Sequence, residues 1–261
     1  MQVMVTAGAV AAAVLLGITA CAPAGTVSAA NATAGVTASS SATAMTPDAV
    51  LSATPASPVA PTSAAPVPQA QQWRTFSSAG GKVSFDYPAQ WTVTAPPGAS
   101  GSSAVDVDVT DAQGMVVASL HYGPSGGIGG ACQGPVPYTV LDSVELALPY
   151  NTYAADTITP RFAFRALQEA GRVTASYGIT SSVAGKDGKS CMFYNVVSGP
   201  AESPLYSFAD AFQVNVGGSE QNGNRKGAKS FPSLEEARAY MQSSEYLNAK
   251  RMITSLKIDA G

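Results

Sequence analysis

The chain has 261 residues and a formal net charge of −3, from 14 Lys and Arg against 17 Asp and Glu. This near-neutral balance argues against nucleic acid as a partner, because binding to a phosphate backbone needs a basic face. All 14 basic residues and every aromatic ring lie from Trp73 onward. Residues 1–72 and residues 73–261 therefore belong to different classes of sequence.

Residues 3–20 are almost entirely apolar or small, and they end in Ile18-Thr19-Ala20-Cys21. This run resembles the signal peptide and lipobox of bacterial lipoproteins. The resemblance implies cleavage after residue 20, a lipid anchor on Cys21, and a domain at the outer face of the cytoplasmic membrane that extends into the cell wall. No Lys or Arg precedes the run, although signal peptides normally begin with basic residues, so we expect the natural start upstream of Met1.

Two alternatives for this segment stay open. About 18 apolar residues are just enough to span a bilayer, so the run can be an uncleaved transmembrane helix. It can also be a plain secretory signal followed by an ordinary cysteine. Residues 22–72 are mostly Ala, Ser, Thr, Pro, Val and Gly, with one charge and no aromatic ring. Such a composition buries too little apolar surface to fold, so we predict that 21–72 is a disordered tether behind the anchor.

The cysteine count also fits an exported protein. Three cysteines are present, and lipidation of Cys21 leaves Cys132 and Cys191 as an even pair. An oxidising compartment favours a disulfide between them, with two buried free thiols as the alternative. We expect no cofactor and no metal site, since no Cys-x-x-Cys occurs and the chain has one histidine.

Residues 73–261 have the size of one domain. Alternating apolar residues and short turns predict an antiparallel sheet of about seven or eight strands. The runs with strand-like character are Lys82–Tyr87, Trp91–Val93, Val105–Val109, Val116–Tyr122, Tyr138–Leu148, Thr157–Leu167, Val173–Thr180, Cys191–Val197 and Phe208–Val216. A capping box at Ser233–Glu236 and a second apolar periodicity after Ser244 predict two C-terminal helices that pack on the sheet, giving an α+β fold.

The segment Phe85-Asp-Tyr-Pro-Ala-Gln-Trp91 reads as an early strand–turn–strand hairpin, and Met252–Leu256 closes the last helix. Together these motifs resemble the PsbP-like α/β domain, which occurs in small actinobacterial surface lipoproteins. The resemblance would cover roughly residues 73–258. It implies a binding or accessory role, with no defined catalytic residues.

One motif suggests catalysis. Gly123-Pro-Ser-Gly-Gly127 matches the Gly-x-Ser-x-Gly nucleophile elbow and follows a predicted strand. The glycine-rich residues after Ser125 do not favour the helix that this elbow requires, and His121 precedes the serine, whereas hydrolases of that fold place the histidine after it. The motif is therefore interpreted as a glycine loop, with a serine hydrolase as the alternative.

Other polar groups can be interpreted either as functional sites or as ordinary solvated surface residues. His121 should point to the solvent side of its strand. Asp106, Asp108 and Asp111 can gather a hard cation or form a solvated face. The cluster Asn224–Lys229 can meet anionic wall polymer or remain a solvated loop, and Gly123–Pro137 can be a ligand-binding loop.

We therefore predict a membrane-anchored, monomeric lipoprotein whose domain is not an enzyme. Its expected partners are the membrane, through Cys21, and an envelope ligand or envelope protein. The alternatives are an envelope serine hydrolase that uses Ser125 and a purely structural or adhesive surface module.

Overall fold

The computed structural model describes residues 71–96, 104–131, 133–217 and 227–259. The predicted signal peptide, Cys21, nearly all of the tether, Cys132 and residues 224–226 of the basic cluster lie outside these ranges. Among the described residues, no helix has the length and apolarity needed to cross a bilayer.

The described residues form fifteen strands and two helices. The strands up to residue 182 are β1 (Trp73–Ser77), β2 (Val83–Pro88), β3 (Thr92–Thr94), β4 (Val105–Thr110), β5 (Val116–Tyr122), β6 (Val136–Glu145), β7 (Thr157–Glu169) and β8 (Arg172–Ser182). The later elements are β9 (Lys189–Ser190), β10 (Met192–Tyr194), β11 (Val197–Ser198), β12 (Leu205–Ala209), β13 (Gln213–Asn215), β14 (Lys229–Phe231), α1 (Leu234–Tyr240), α2 (Ser244–Thr254) and β15 (Lys257–Ile258).

The largest sheet is antiparallel and unclosed. Its strand order is β3-β4-β5-β12-β8-β7-β6-β9, with β11 paired to β12 and β14 paired to β8. The α+β class is therefore confirmed, but the sheet has ten strands rather than seven or eight. The miscount has a physical cause: β9, β11 and β14 are two or three residues long and are held by their neighbours, so they carry no alternating pattern of their own.

The predicted early hairpin is wrong in its pairing. β2 pairs with β1 and β15 in a separate three-stranded sheet, whereas β3 pairs with β4 in the large sheet. The turn is still present, since the N–H of Trp91 donates to the carbonyl of Pro88 over 2.9 Å. This turn carries the chain from one sheet to the other, and the indole of Trp91 is buried between them.

The two C-terminal helices are confirmed. The hydroxyl of Ser233 accepts from the N–H of Glu236 at the start of α1, and Ser243 does the same for Tyr246 at the start of α2. Such caps satisfy N–H groups that have no partner inside the helix. The α2 side chains Tyr246, Ala249 and Ile253 are buried, as their spacing predicts.

The main core lies between one face of the large sheet and the elements that cover it, α1, α2 and the β1–β2–β15 sheet. Aromatic rings join these layers: Tyr246 of α2 packs 5.2 Å from Phe164 of β7, and Phe85 of β2 packs 4.8 Å from Phe208 of β12, between ring centres. Tilted aromatic contacts of this kind stabilise the layers beyond the area that they bury. We call this the helix-side face.

The opposite, outer face of the sheet is covered in part. The two-stranded β10–β13 sheet packs on this face, where Leu167, Phe193, Ala211 and Val214 form a second, smaller apolar cluster. Gly178 of β8 allows Asn195 and Ala209 to approach this strand closely beside the cluster. A Cβ built there would lie 2.8 Å from the Cβ of Asn195 and 2.4 Å from that of Ala209.

Candidate functional site

A groove on the outer face, beside β5 and β12, has the strongest features of a binding site. A bulge creates its rim. Val109 pairs with Ala118 but Thr110 pairs with Val116, so Val117 is an extra residue in β5. A bulge of this kind re-aims the side chains next to it. The alternation of Val116 with Ala118, Leu120 and Tyr122 predicts an inward side chain, but the bulge places Val116 on the outer face, where it is 40% exposed.

Three large apolar side chains surround the groove. Met115, Val116 and Phe212 line it and are 66%, 40% and 47% exposed. The groove has a volume of about 440 Å³. Exposed apolar residues scattered singly are ordinary, but several that converge on one concavity are typical of a binding surface.

The floor of the groove is polar. It is formed by Ser119 of β5, Ser207 of β12 and Asp210, which follows β12. Gly227 completes the floor because only glycine fits there. Its φ is +90°, and a Cβ would lie 1.7 Å from the carbonyl oxygen of Asp210.

The carboxyl group of Asp210 is buried at this floor. It accepts from the hydroxyl of Ser176, which is a very short contact, and from the N–H of Tyr177 over 3.1 Å. Its other oxygen, Oδ2, is buried without a hydrogen-bond partner among the described residues. Burial raises the pKa of Asp210 to about 8, although the Ser176 hydroxyl and the Lys229 ammonium act in the opposite direction. Asp210 is therefore largely protonated at neutral pH.

Next to the groove, three polar side chains form a row across neighbouring strands. Asp106 of β4 lies opposite His121 of β5, and His121 lies opposite Ser207 of β12. The Nδ1 atom of His121 lies 2.6 Å from Oδ1 of Asp106. Its Nε2 atom is buried without a hydrogen-bond partner in the described chain, so no bond joins it to Ser207. The row has the composition of a catalytic triad without its second hydrogen bond.

His121 lies on the outer side of β5, as its alternation with Leu120 and Tyr122 predicts, but it is only partly exposed. Its side chain is 31% exposed and its ring is fixed by Asp106. The cause is the pairing of β4 with β5, which sets an aspartate directly opposite the imidazole. This partner follows from strand register rather than from any motif.

Ser125 lies at the other end of β5. Its hydroxyl accepts from the N–H of Leu205 over 3.1 Å. The described residues 123–131 after this strand form neither helix nor strand. The helix that a nucleophile elbow needs is therefore missing there, as the glycine-rich sequence indicates.

The three aspartates suggested for a cation act separately. Asp106 contacts His121, Asp108 accepts from Ser119 over 2.5 Å, and Asp111 accepts from two N–H groups of its own turn, those of Gln113 and Met115. Within the described ranges, no group of three or more potential ligands could hold a metal ion. These contacts do not support a shared cation site at the three aspartates.

Cys191 is disulfide-bonded. Cys21 and Cys132 both lie outside the described residues, so the pairing with Cys132 stays a prediction. Of the predicted basic cluster, Lys229 is described, and its ammonium pairs with Glu245 of α2 over 2.7 Å. This lysine therefore belongs to the helix packing.

A second site lies on the outer face over β6, β7 and β8, and nothing in the sequence analysis singled it out. Arg165 of β7 is 1% exposed and contributes to the wall of a pocket of about 250 Å³. Its Nη2 atom donates to the carbonyl of Tyr194 over 2.6 Å and to Oδ1 of Asn195 over 2.7 Å. Its Nε and Nη1 atoms are buried without partners among the described residues.

A chain of buried hydrogen bonds joins the two sites. Arg165 donates to Asn195, the Nδ2 of Asn195 donates to the hydroxyl of Ser176 over 2.6 Å, and Ser176 donates to Asp210. Two neutral side chains thus separate the buried cation from the buried acid. Each bond in the network satisfies a polar group that would be costly to bury alone.

No protein family model, no curated protein and no solved structure matches this chain. The likeness to the PsbP-like domain therefore stays a prediction.

Proposed function

We propose that the chain is an exported lipoprotein, anchored through Cys21, whose folded domain binds an apolar envelope ligand without catalysis. The observation that supports this proposal is the convergence of Met115, Val116 and Phe212 on one groove with a polar floor. Pockets for small ligands combine an apolar lining with a few placed polar groups in this way.

The groove favours a ligand with an aliphatic chain and an uncharged polar end. Covering apolar rim surface contributes roughly 2.5 kcal/mol per 100 Å² removed from water. At the floor, Asp210 is protonated at neutral pH and Ser207 offers a hydroxyl. Asp210 is the one titratable residue among the described residues that line the groove. A charged ligand end would have no opposite charge to pair with at this floor.

Titration with the neutral fluorophore N-phenyl-1-naphthylamine tests the groove. The full chain should enhance its fluorescence, and an excess of a long-chain alcohol should displace it. Phe212→Glu and Val116→Glu each place a charge on the rim and should weaken binding by about tenfold or more. Leu247→Glu is the matched control, because Leu247 is 51% exposed on α2 and lies outside the groove. If fluorophore binding weakens equally in all three variants, or in none of them, the groove is not the binding site.

The anchor is tested separately. Metabolic labelling with a fatty-acid probe should mark the wild type and leave Cys21→Ala unlabelled and released from the membrane fraction. If Cys21→Ala is labelled as strongly as the wild type and stays in the membrane, the lipobox interpretation is wrong.

A second candidate function is hydrolysis, favoured by the Asp106–His121–Ser207 row beside the groove. An imidazole held by an aspartate can act as a general base for a neighbouring hydroxyl. The hydrogen bond that would link His121 to Ser207 is not formed, so binding is the better supported function.

A further inference from the structure

We propose that the pocket over β6, β7 and β8 binds a monocarboxylate with a short apolar body, and that the carboxylate is received by the free edge of Arg165. This pocket is separate from the groove, and the inference goes beyond the proposed function. We call it the Arg165 pocket. Its apolar wall is formed by Val140, Ile158, Ala163 and Val183, and its polar groups include Thr180 and Ser182.

The guanidinium is a buried cation with an unused donor edge. A guanidinium stays protonated in proteins and carries five N–H donors. Nη2 of Arg165 is satisfied by Tyr194 and Asn195, whereas Nε and Nη1 have no hydrogen-bond partner in the described chain. Nε and Nη1 form the edge that takes both oxygens of a carboxylate in a bidentate pair.

No acidic side chain neutralises this cation within the described residues that line the pocket. The second charged residue there, Arg161, is also basic. Glu145, the register partner of Arg161, is exposed, and no ion pair joins the two in the described chain. A buried charge without an opposite charge is costly, so an anion that enters the pocket gains a pairing that the protein itself does not supply.

The immediate surroundings hold the guanidinium in place for such a ligand. The Cζ atom of Arg165 lies 4.5 Å from the ring centre of Phe193, and the two acceptors of Nη2 fix the plane of the group. The hydroxyl of Tyr138 acts on Arg165 both electrostatically and through a side-chain hydrogen bond, and it supports the charged form against the larger effect of burial. No partner meets hydrogen-bond geometry at Nε or Nη1 in the described chain. A donor that is ordered before binding loses less conformational entropy when the ligand arrives.

The pocket volume and lining define the ligand class. About 250 Å³ is below the usual range for drug-sized ligands, which suits a small molecule. The aliphatic wall favours an acid with a hydrocarbon body over an inorganic oxyanion. Val140 and Val183 at the mouth are 50% and 63% exposed, so a ligand chain that leaves the pocket would continue along them.

Octanoate is the probe for this proposal, with 1-octanol and inorganic sulfate as comparison ligands, all added to the full chain. Octanoate should bind with a dissociation constant of about 1 mM or lower and raise the melting temperature, whereas sulfate should leave it unchanged. Octanol is expected to bind in the groove, so its comparison is made at Arg165, whose Nε–H signal it should not shift. In chains with ¹⁵N-labelled arginine, one Nε–H signal should shift on titration, and Arg165→Lys should remove that signal.

Two further variants keep the test decisive if changes at Arg165 itself impair folding. Val140→Glu adds a carboxylate at the exposed mouth, opposite Arg165 in register, and should weaken octanoate binding at least about tenfold. Val140→Gln is the neutral control of the same size and should bind as the wild type does. Equal binding of octanoate by Val140→Glu and Val140→Gln, an equal shift of the Arg165 Nε–H signal with octanol or sulfate, or no shift with octanoate would overturn the proposal.

Discussion

The backbone N–H of Tyr177 donates to Oδ1 of Asp210 over 3.1 Å and joins the middle of β8 to the segment that follows β12. Ser176, the preceding residue, donates its hydroxyl to the same oxygen. Both bonds hold the Asp210 carboxyl at the floor of the groove, away from water. Burial in the folded chain therefore controls the protonation state of Asp210.

The first prediction concerns the pH dependence of folding. The pKa of Asp210 rises from 3.8 to about 8 in the folded chain, mainly through burial. Between about pH 4 and pH 8 the folded state holds a proton that the unfolded chain has released, so the free energy of unfolding falls as pH rises. Asp210→Asn should abolish this slope and unfold at higher urea than the wild type, with a difference in the free energy of unfolding that reaches about 6 kcal/mol above pH 8.

Urea unfolding at several pH values measures this effect. Asp156→Asn is the control, since Asp156 is exposed and its φ of +57° is one that asparagine tolerates. The control should keep the wild-type slope. If the free energy of unfolding depends on pH in the same way in the wild type and in Asp210→Asn, Asp210 is ionised in the folded protein.

The second prediction tests the packing that separates the two sites. In Gly178→Ala the new methyl would meet Ala209 on one side and Asn195 on the other, both closer than side chains normally approach. Overpacking of this kind costs about 1–3 kcal/mol, so the thermal midpoint should fall by several degrees. Gly126→Ala is the control, because no atom lies within 4 Å of a Cβ at Gly126. Equal midpoints for the two variants would contradict the described approach of Asn195 to β8.

The helices and most strands could be predicted because their signals are local. Ser233 and Glu236 stand three residues apart, and the apolar residues of α2 repeat at helical spacing. The rim of the groove could not be predicted in this way. Val116 alternates with Ala118 and Leu120 in the sequence, and only its pairing with Thr110 shows that the bulge turns it outward.

Arg165 was missed for a similar reason. It lies between Phe164 and Ala166, where a strand with one buried face would point a charged residue to solvent. The two-stranded β10–β13 sheet covers that second face and buries the guanidinium against Phe193. The burial depends on a contact with residues nearly thirty positions further along the chain, which no local pattern records.

The third prediction is that Cys191 pairs with Cys132. Cys191 is disulfide-bonded, and lipidation of Cys21 would leave Cys132 as its partner. Peptide mapping without reductant should recover a linked peptide that contains both cysteines. Cys132→Ser should expose one alkylatable thiol at Cys191 and destabilise the domain by about 2–4 kcal/mol. Linkage of Cys191 to Cys21 instead would contradict both the disulfide and the lipid anchor.

The fourth prediction is that neither Ser125 nor Ser207 is a catalytic nucleophile. The hydroxyl of Ser125 is occupied by the N–H of Leu205, and no helix follows it in the described residues 123–131. Ser207 stands opposite His121 in register, but the Nε2 of His121 makes no bond to it. Both serines therefore lack the base contact that raises the nucleophilicity of a hydroxyl.

A fluorophosphonate probe on the full chain, together with a generic esterase assay, measures this directly. The wild type, Ser125→Ala and Ser207→Ala should all remain unlabelled and show the same background turnover. A working serine hydrolase loses on the order of 10³-fold or more when its nucleophile is removed, so a real activity would be easily seen. Labelling that disappears in Ser207→Ala and in His121→Gln would show that the Asp106–His121–Ser207 row closes into a triad when substrate binds. Labelling that disappears only in Ser125→Ala would instead identify the glycine loop as the reactive site, and either result would make this domain an enzyme.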